Sequence, residues 1–169
     1  MFDALLEAGA PWGAAPGAVN QTRRIESGIL SWGADMTPEE NPYELGLGSL
    51  VELDTTPDFI GRAALEAVSR QPPSRKLVGM VLSGEALSNN EKPWPLYLGD
   101  KAVGKLTSLT HSPRLRKNLG LGLVPTELSE IGTELSFDAW DKDRIATISE
   151  LPFVPKRQQG NARDLLESA

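Results

Sequence analysis

The chain has 169 residues with 17 basic and 23 acidic side chains, a net charge of −6, one histidine (His111) and no cysteine. Disulfides, thiolate metal sites and a cysteine nucleophile are therefore excluded, as is a histidine-rich metal centre. The negative balance argues against binding to a nucleic-acid backbone, and hydrophobic content of 40% with 24% charged residues is ordinary for a globular chain.

Phe2, Leu5 and Leu6 recur at helical spacing and predict a short amphipathic helix over residues 2–8. This start has neither a basic n-region nor a long apolar stretch, so no signal peptide is expected. No apolar run reaches membrane-spanning length, and the expected location is the cytoplasm. Gly9-Ala10-Pro11 ends the helix, and residues 9–18 read as a loop. Residues 19–29 read as a second helix ending near Gly28, and residues 31–49 as irregular and turn-rich. Gly48 to Leu53 alternates as a strand does. Thr56 or Asp58 is placed to cap a helix through about Ser69, with Phe59, Ala63 and Val68 among its apolar positions.

Gln71-Pro72-Pro73-Ser74 is the boundary candidate, because adjacent prolines cannot continue a helix and stiffen a link. After it the pattern changes. Lys76–Leu82, Trp94–Leu98, Ala102–Leu109, Leu119–Val124, Thr133–Phe137 and Arg144–Glu150 all read as strands, with Gly99-Asp100 and Asp141-Lys142-Asp143 among the turns. Strands at this spacing predict a small antiparallel barrel or sandwich. Pro93 and Pro95 suit a strand entry or edge. The tail beyond Lys156 is polar, with a weak helical pattern near Asp164 to Leu166. The part before Pro72 offers a strand without a partner strand, which leaves backbone groups unpaired. It therefore either packs on the barrel or is half of a larger unit.

The run from Arg23 to Thr37 sets Glu26 among apolar residues, glycines and Trp32. Glu26 reads in two ways. It is a solvated helix acid paired with Arg23 or with a cap, or it is a partly buried carboxylate accepting two N–H bonds from the edge of an amino-pyrimidine. Trp32 and Tyr43 are either ordinary core or the aromatic walls of the same cavity. Ser112-Pro113-Arg114-Leu115-Arg116-Lys117-Asn118 is a basic loop between strands, either a solvated connection or a clamp for a carboxylate tail. His111 lacks the Gly-x-Ser-x-Gly elbow that a serine nucleophile would need, and Gly46-Leu47-Gly48 lacks the third glycine of a dinucleotide fingerprint. The acids are too scattered to indicate a metal site.

Several motifs in order carry a resemblance: Arg24-Ile25-Glu26-Ser27-Gly28, Trp32-Gly33, Asn41-Pro42-Tyr43-Glu44-Leu45-Gly46-Leu47, Asp58-Phe59-Ile60-Gly61-Arg62, Val103-Gly104-Lys105-Leu106-Thr107-Ser108, Ser112-Pro113-Arg114-Leu115 and Leu151-Pro152-Phe153-Val154. Together they resemble the C-terminal portion of the glycine-cleavage T-protein family of folate-dependent methyl and aminomethyl transferases. Ile29 to Met36 and Asn41 to Glu44 lean toward its demethylase branch, which includes dimethylsulfoniopropionate demethylase and the tetrahydrofolate-dependent aromatic O-demethylases. T-proteins carry a basic residue near the position of Thr55, and Leu53-Asp54-Thr55-Thr56 has none.

The resemblance implies an α+β fold: the end of an α/β folate-binding domain over 1–72, a small antiparallel β-barrel over 73–156 and a polar tail over 157–169. It implies tetrahydrofolate as cofactor, with Glu26 holding the pterin ring and Trp32 and Tyr43 lining the cavity. The family's catalytic aspartate matches no position here. The expected function is the C-terminal part of a methyltransferase that moves a one-carbon unit from a small S- or O-methyl donor to tetrahydrofolate. The alternatives are an aminomethyltransferase portion and a non-catalytic subunit that completes a split enzyme. Members of that family are longer, so the expected partner is a chain carrying the N-terminal half, or a second copy through self-association; nucleic acid and membrane are not expected partners.

Overall fold

The computed structural model describes residues 1–16, 20–54, 57–139 and 142–154. Three helices come first: α1 (Phe2–Gly9), α2 (Gln21–Glu26) and α3 (Arg62–Ser69). Six strands follow: β1 (Arg75–Leu82), β2 (Trp94–Leu98), β3 (Lys101–Ser112), β4 (Lys117–Pro125), β5 (Glu134–Ala139) and β6 (Lys142–Ser149). The strands close into an antiparallel barrel in the order β1-β4-β3-β2-β5-β6. Closure removes the sheet edges that six strands would otherwise expose. The β2–β5 seam is the shortest, with Tyr97 opposite Ser136 as its pair. Pro93 immediately precedes β2, as a strand entry, and Pro95, which has no N–H to donate, lies within it opposite Lys105 of β3.

Side chains alternate between the barrel interior and its outer wall. Met80, Leu96, Leu106, Leu109, Val124, Leu135, Phe137 and Ile148 fill the interior, and the Trp94 ring stacks on Phe137 at 6.0 Å. A second apolar cluster lies on the outer wall of β1 and β4, where Leu119 and Leu121 meet Ile25 of α2 and the Leu151 and Phe153 side chains. Gly79 of β1 makes that approach possible. A Cβ there would sit 2.7 Å from Leu151 Cδ2 and 2.9 Å from Phe153 Cζ. The segment after β6 thus closes over the same wall that α2 occupies, and the Val154 N–H bonds to the Glu26 carbonyl at 3.1 Å.

Helix α1 matches the sequence pattern to within one residue, whereas α2 and α3 are shorter than it predicts. Asn20 caps α2 by accepting the Arg23 N–H at 2.9 Å. Gly28, at φ +67°, ends it. Gly48 to Leu53 is not a strand. Among the described residues it has no partner strand, and the Leu50 and Val51 N–H groups close onto the Leu47 and Gly48 carbonyls as a single 3₁₀ turn, Gly48–Leu50. Asp58 does not cap α3. It accepts the N–H of Phe59 at 2.9 Å and pairs with Arg62 at 3.8 Å, while Gly61 at φ +94° opens the helix. Thr55, Thr56, Asp141 and the tail from residue 155 lie outside the described residues. Strands β3 and β4 extend toward each other, pairing Ser112 with Lys117, so the basic loop shrinks to the turn Pro113–Arg116.

Candidate functional site

The outer face of β3 carries a row of hydroxyls, and the segment before the barrel is seated on it. An irregularity between Leu106 and Ser108 turns both Thr107 and Ser108 outward. Thr107 Oγ1 and Ser108 Oγ lie 2.6 and 2.7 Å from Asp35 Oδ1. Thr110 Oγ1 is 2.9 Å from Thr22 Oγ1. At the end of the row, Ser112 Oγ donates to Glu26 Oε1 at 2.5 Å. The strand thus fixes α2 and the 31–36 turn at hydroxyls on alternate positions, as the pleat requires.

Glu26 is buried, with 7% of its surface exposed. It is neither solvated nor paired with Arg23, so the surface-acid reading of this residue fails. Arg23 is exposed, and its N–H serves the Asn20 cap. Ser112 is the one described residue that donates to the Glu26 side chain. Glu26 Oε2 accepts no hydrogen bond from any described residue and is not among the fully buried unpartnered atoms, so the small exposed surface of this residue includes that oxygen. The carboxylate is therefore held on one oxygen and free on the other.

Beside it lies a buried ion pair that pattern reading missed. Arg24 Nη1 donates to Asp35 Oδ2 at 2.6 Å, Nη2 donates to Ser108 Oγ at 2.7 Å, and the Asp35 side chain has no exposed surface. The Ser31 N–H also donates to Asp35 Oδ2, at 2.9 Å. The signal was an aspartate isolated between Ala34 and Met36 in an otherwise uncharged run.

A second clip joins residues 37–44 to the barrel. Glu44 Oε1 accepts from Arg75 Nε at 2.9 Å, and Glu40 Oε1 accepts from Lys105 Nζ at 3.0 Å. Burial is the largest influence on Glu40 and pushes its pKa up. Hydrogen bonds from the Thr37 hydroxyl, Lys105 and the Thr37 N–H together outweigh it and lower the pKa from 4.5 to about 2. A carboxylate whose folded-state pKa is depressed contributes stability that is complete above its unfolded value and lost as the pH falls. The clip's contribution is thus full above pH 4.5 and disappears between pH 4.5 and about 2. Denaturant unfolding followed down that range should lose up to about 3 kcal/mol to this group. The Glu40→Gln variant should be less stable at neutral pH and show a flatter acid limb; an unchanged acid limb would remove the clip from the account.

Trp32 and Tyr43 occupy different settings. Trp32 stands 67% exposed on the 32–36 turn. Tyr43 is half-buried, its ring against Gly48, where a Cβ would lie 3.0 Å from Cδ1. Among the described residues no hydrogen bond or ring stacking joins either to the other or to Glu26. The basic residues Arg114, Arg116 and Lys117 are exposed. His111 is half-buried, with Nδ1 3.0 Å from Asn118 Oδ1. No helix among the described residues is long and apolar enough to cross a membrane, and none of their His, Asp and Glu side chains form a group of three able to hold a metal ion.

Residues 75–155 match the family described as glycine cleavage T-protein C-terminal barrel domain, and residues 1–55 match the GCVT N-terminal domain. An aminomethyltransferase of Synechococcus sp. (strain CC9902) is 38% identical over 157 residues, covering 92% of this chain and 42% of that protein. The dimethylsulfoniopropionate demethylase of Ruegeria pomeroyi is 35% identical over 150 residues, covering 89% of this chain and 40% of that protein. The crystal structure of the glycine cleavage system aminomethyltransferase T from Bartonella henselae superposes with a TM-score of 0.70 at 26% identity, covering 79% of this chain and 37% of that one. The chain spans about two fifths of the length of these curated relatives.

Proposed function

Because the chain belongs to the glycine-cleavage T-protein family, we propose that it supplies one wall of the folate site of a one-carbon transferase. Residues 1–72 are the end of the folate-binding domain, and residues 73–156 are the barrel that supports it. The observation that carries this reading is the Glu26 carboxylate, buried, bonded by Ser112 at Oε1 and without a hydrogen-bond partner at Oε2 among the described residues. Ser112 fills one acceptor position of Oε1, so Oε1 and Oε2 each keep a position for the adjacent N–H donors of an amino-pyrimidine edge.

Tetrahydrofolate, when bound, supplies the nitrogen that takes up the one-carbon unit. The chain's own part is binding and orientation. Glu26 accepts from the pterin edge and fixes its rotation in the site, while Trp32 and Tyr43 offer aromatic surface to the ring. Holding a reactant in one orientation contributes a large share of the rate in such transfers. The Asn41 to Glu44 and Ile29 to Met36 motifs favour an S- or O-methyl donor. The aminomethyltransferase names among the relatives favour an aminomethyl donor as the second reading. A cytoplasmic location belongs to the same proposal.

The test is calorimetric titration of the chain with tetrahydrofolate. Binding is expected to be weak, and Glu26→Gln, which keeps the shape but removes the charge, should weaken it about tenfold. Equal affinity of the two proteins would reject the role of Glu26. Supplying the N-terminal portion of a relative, the part that this chain does not span, as a second chain then distinguishes the donors, with a sulfonium, an aryl methyl ether and an aminomethyl donor assayed side by side. The exposed side chains of Phe2, Leu5 and Trp12 (63%, 67% and 89%) favour such a docking partner.

A further inference from the structure

We propose that Ser112 is the positioning residue of the Glu26 carboxylate, its hydroxyl fixing Oε1 so that Oε2 is presented to the ligand. This inference rests on the reading of Glu26 as the group that holds the pterin edge.

The hydroxyl is oriented by its own surroundings. Ser112 is fully buried, and its Oγ accepts the Leu115 N–H at 3.0 Å. That bond fills an acceptor position and leaves the single hydroxyl proton for Glu26 Oε1, 2.5 Å away. Leu115 sits in the tight turn between β3 and β4, so the donor is anchored to the end of that hairpin, where Ser112 pairs with Lys117.

Glu26 needs such a donor. It is the last residue of α2, the end at which backbone carbonyls repel a carboxylate. Burial adds to the penalty. Neither Arg23 nor Arg24 relieves it, since Arg24 is committed to Asp35 and Ser108. A carboxylate held at one oxygen by a buried hydroxyl loses the rotation it would otherwise spend on binding, and a binding site is only as well aimed as the groups behind it.

The rest of the hydroxyl row separates positioning from packing. Thr110 belongs to the same face and bonds Thr22, one turn of α2 away from Glu26. Removing that bond should loosen the docking of α2 without touching the carboxylate.

The experiment is a double-mutant cycle on tetrahydrofolate affinity with the full chain, using wild type, Ser112→Ala, Glu26→Gln and the double variant, each with its melting temperature recorded. Ser112→Ala should weaken binding roughly fivefold to tenfold, the scale of one charge-assisted hydrogen bond. The double variant should bind no worse than Glu26→Gln alone, because Ser112 acts only through that carboxylate. Thr110→Val should lower the melting temperature and leave affinity unchanged. Should Ser112→Ala fail to fold, Ser112→Cys keeps the volume while replacing the donor with a weak thiol, and the same loss is expected of it. If Glu26→Gln weakens binding but the serine variants do not, or if the two effects add fully, the positioning role is overturned and the pterin role stands. If wild type and Glu26→Gln bind alike, or if wild type does not bind, both fall together.

Discussion

Replacing Asp35 with alanine is expected to lower folding stability by about 3–5 kcal/mol, the range for removing one partner of a buried ion pair. The magnitude follows from what is left behind. Arg24 would keep its charge with its side chain 11% exposed, and Thr107, Ser108 and the Ser31 N–H would each lose their bond to the carboxylate. Unmade bonds to buried groups are penalised more heavily than made ones are rewarded. Asp35→Asn restores the shape but not the charge and should recover only part of the loss. Urea unfolding measures the total, and hydrogen exchange locates it. The amides of Ser31 and Val154, which close the α2 region on itself and on the segment after β6, should lose protection before those of β5 and β6. A loss below about 1 kcal/mol would mean that water takes over the Arg24 contacts, and the docking of α2 would have to rest on Ile25 and its apolar neighbours.

Phe137→Ala carries the other large effect, again about 3–5 kcal/mol, but through a void rather than a charge. Phe137 has no exposed surface and sits at the centre of the barrel interior, with Trp94 stacked on it at 24° between the ring planes. Closed barrels cannot collapse inward without breaking strand pairs, so relaxation into the void should be small. The stacking contributes about 1 kcal/mol of this beyond the area term. Thermal unfolding followed by near-ultraviolet dichroism reports both the lost stability and the released Trp94 ring. Phe137→Leu should recover more than half of the loss. The two substitutions separate two layers of the molecule, since Asp35 tests the outer wall and Phe137 the interior.

Much of the barrel is legible in the chain because its information is periodic and local. Met80, Leu82, Leu135 and Phe137 alternate with polar or outward-facing neighbours, and β2 has the predicted bounds Trp94–Leu98. The ends of β3 and β4 were misread because polar residues lie within the strands there. His111, Ser112, Lys117 and Asn118 look like loop by hydropathy, yet they pair across β3 and β4. Gly48 to Leu53 failed in the opposite way. Its alternation is correct for a strand, but a strand is defined by its neighbour, and no neighbour is present among the described residues.

The acids show where local pattern ends. Composition ruled out thiol and histidine-rich chemistry, and hydropathy periodicity with proline and glycine punctuation located the strands, because each of those properties is carried by a residue and its near neighbours. Which carboxylates are buried, and by what they are held, depends on groups brought together from far along the chain. Ser112 is 86 positions from Glu26, and Thr107 is 72 positions from Asp35. By position alone, Glu26 reads either as a solvated helix acid paired with Arg23 or a cap, or as a partly buried carboxylate. Folding the outer wall of β3 against α2 took the water away from it and put a hydroxyl in its place, and desolvation of that kind is a property of the packed molecule alone.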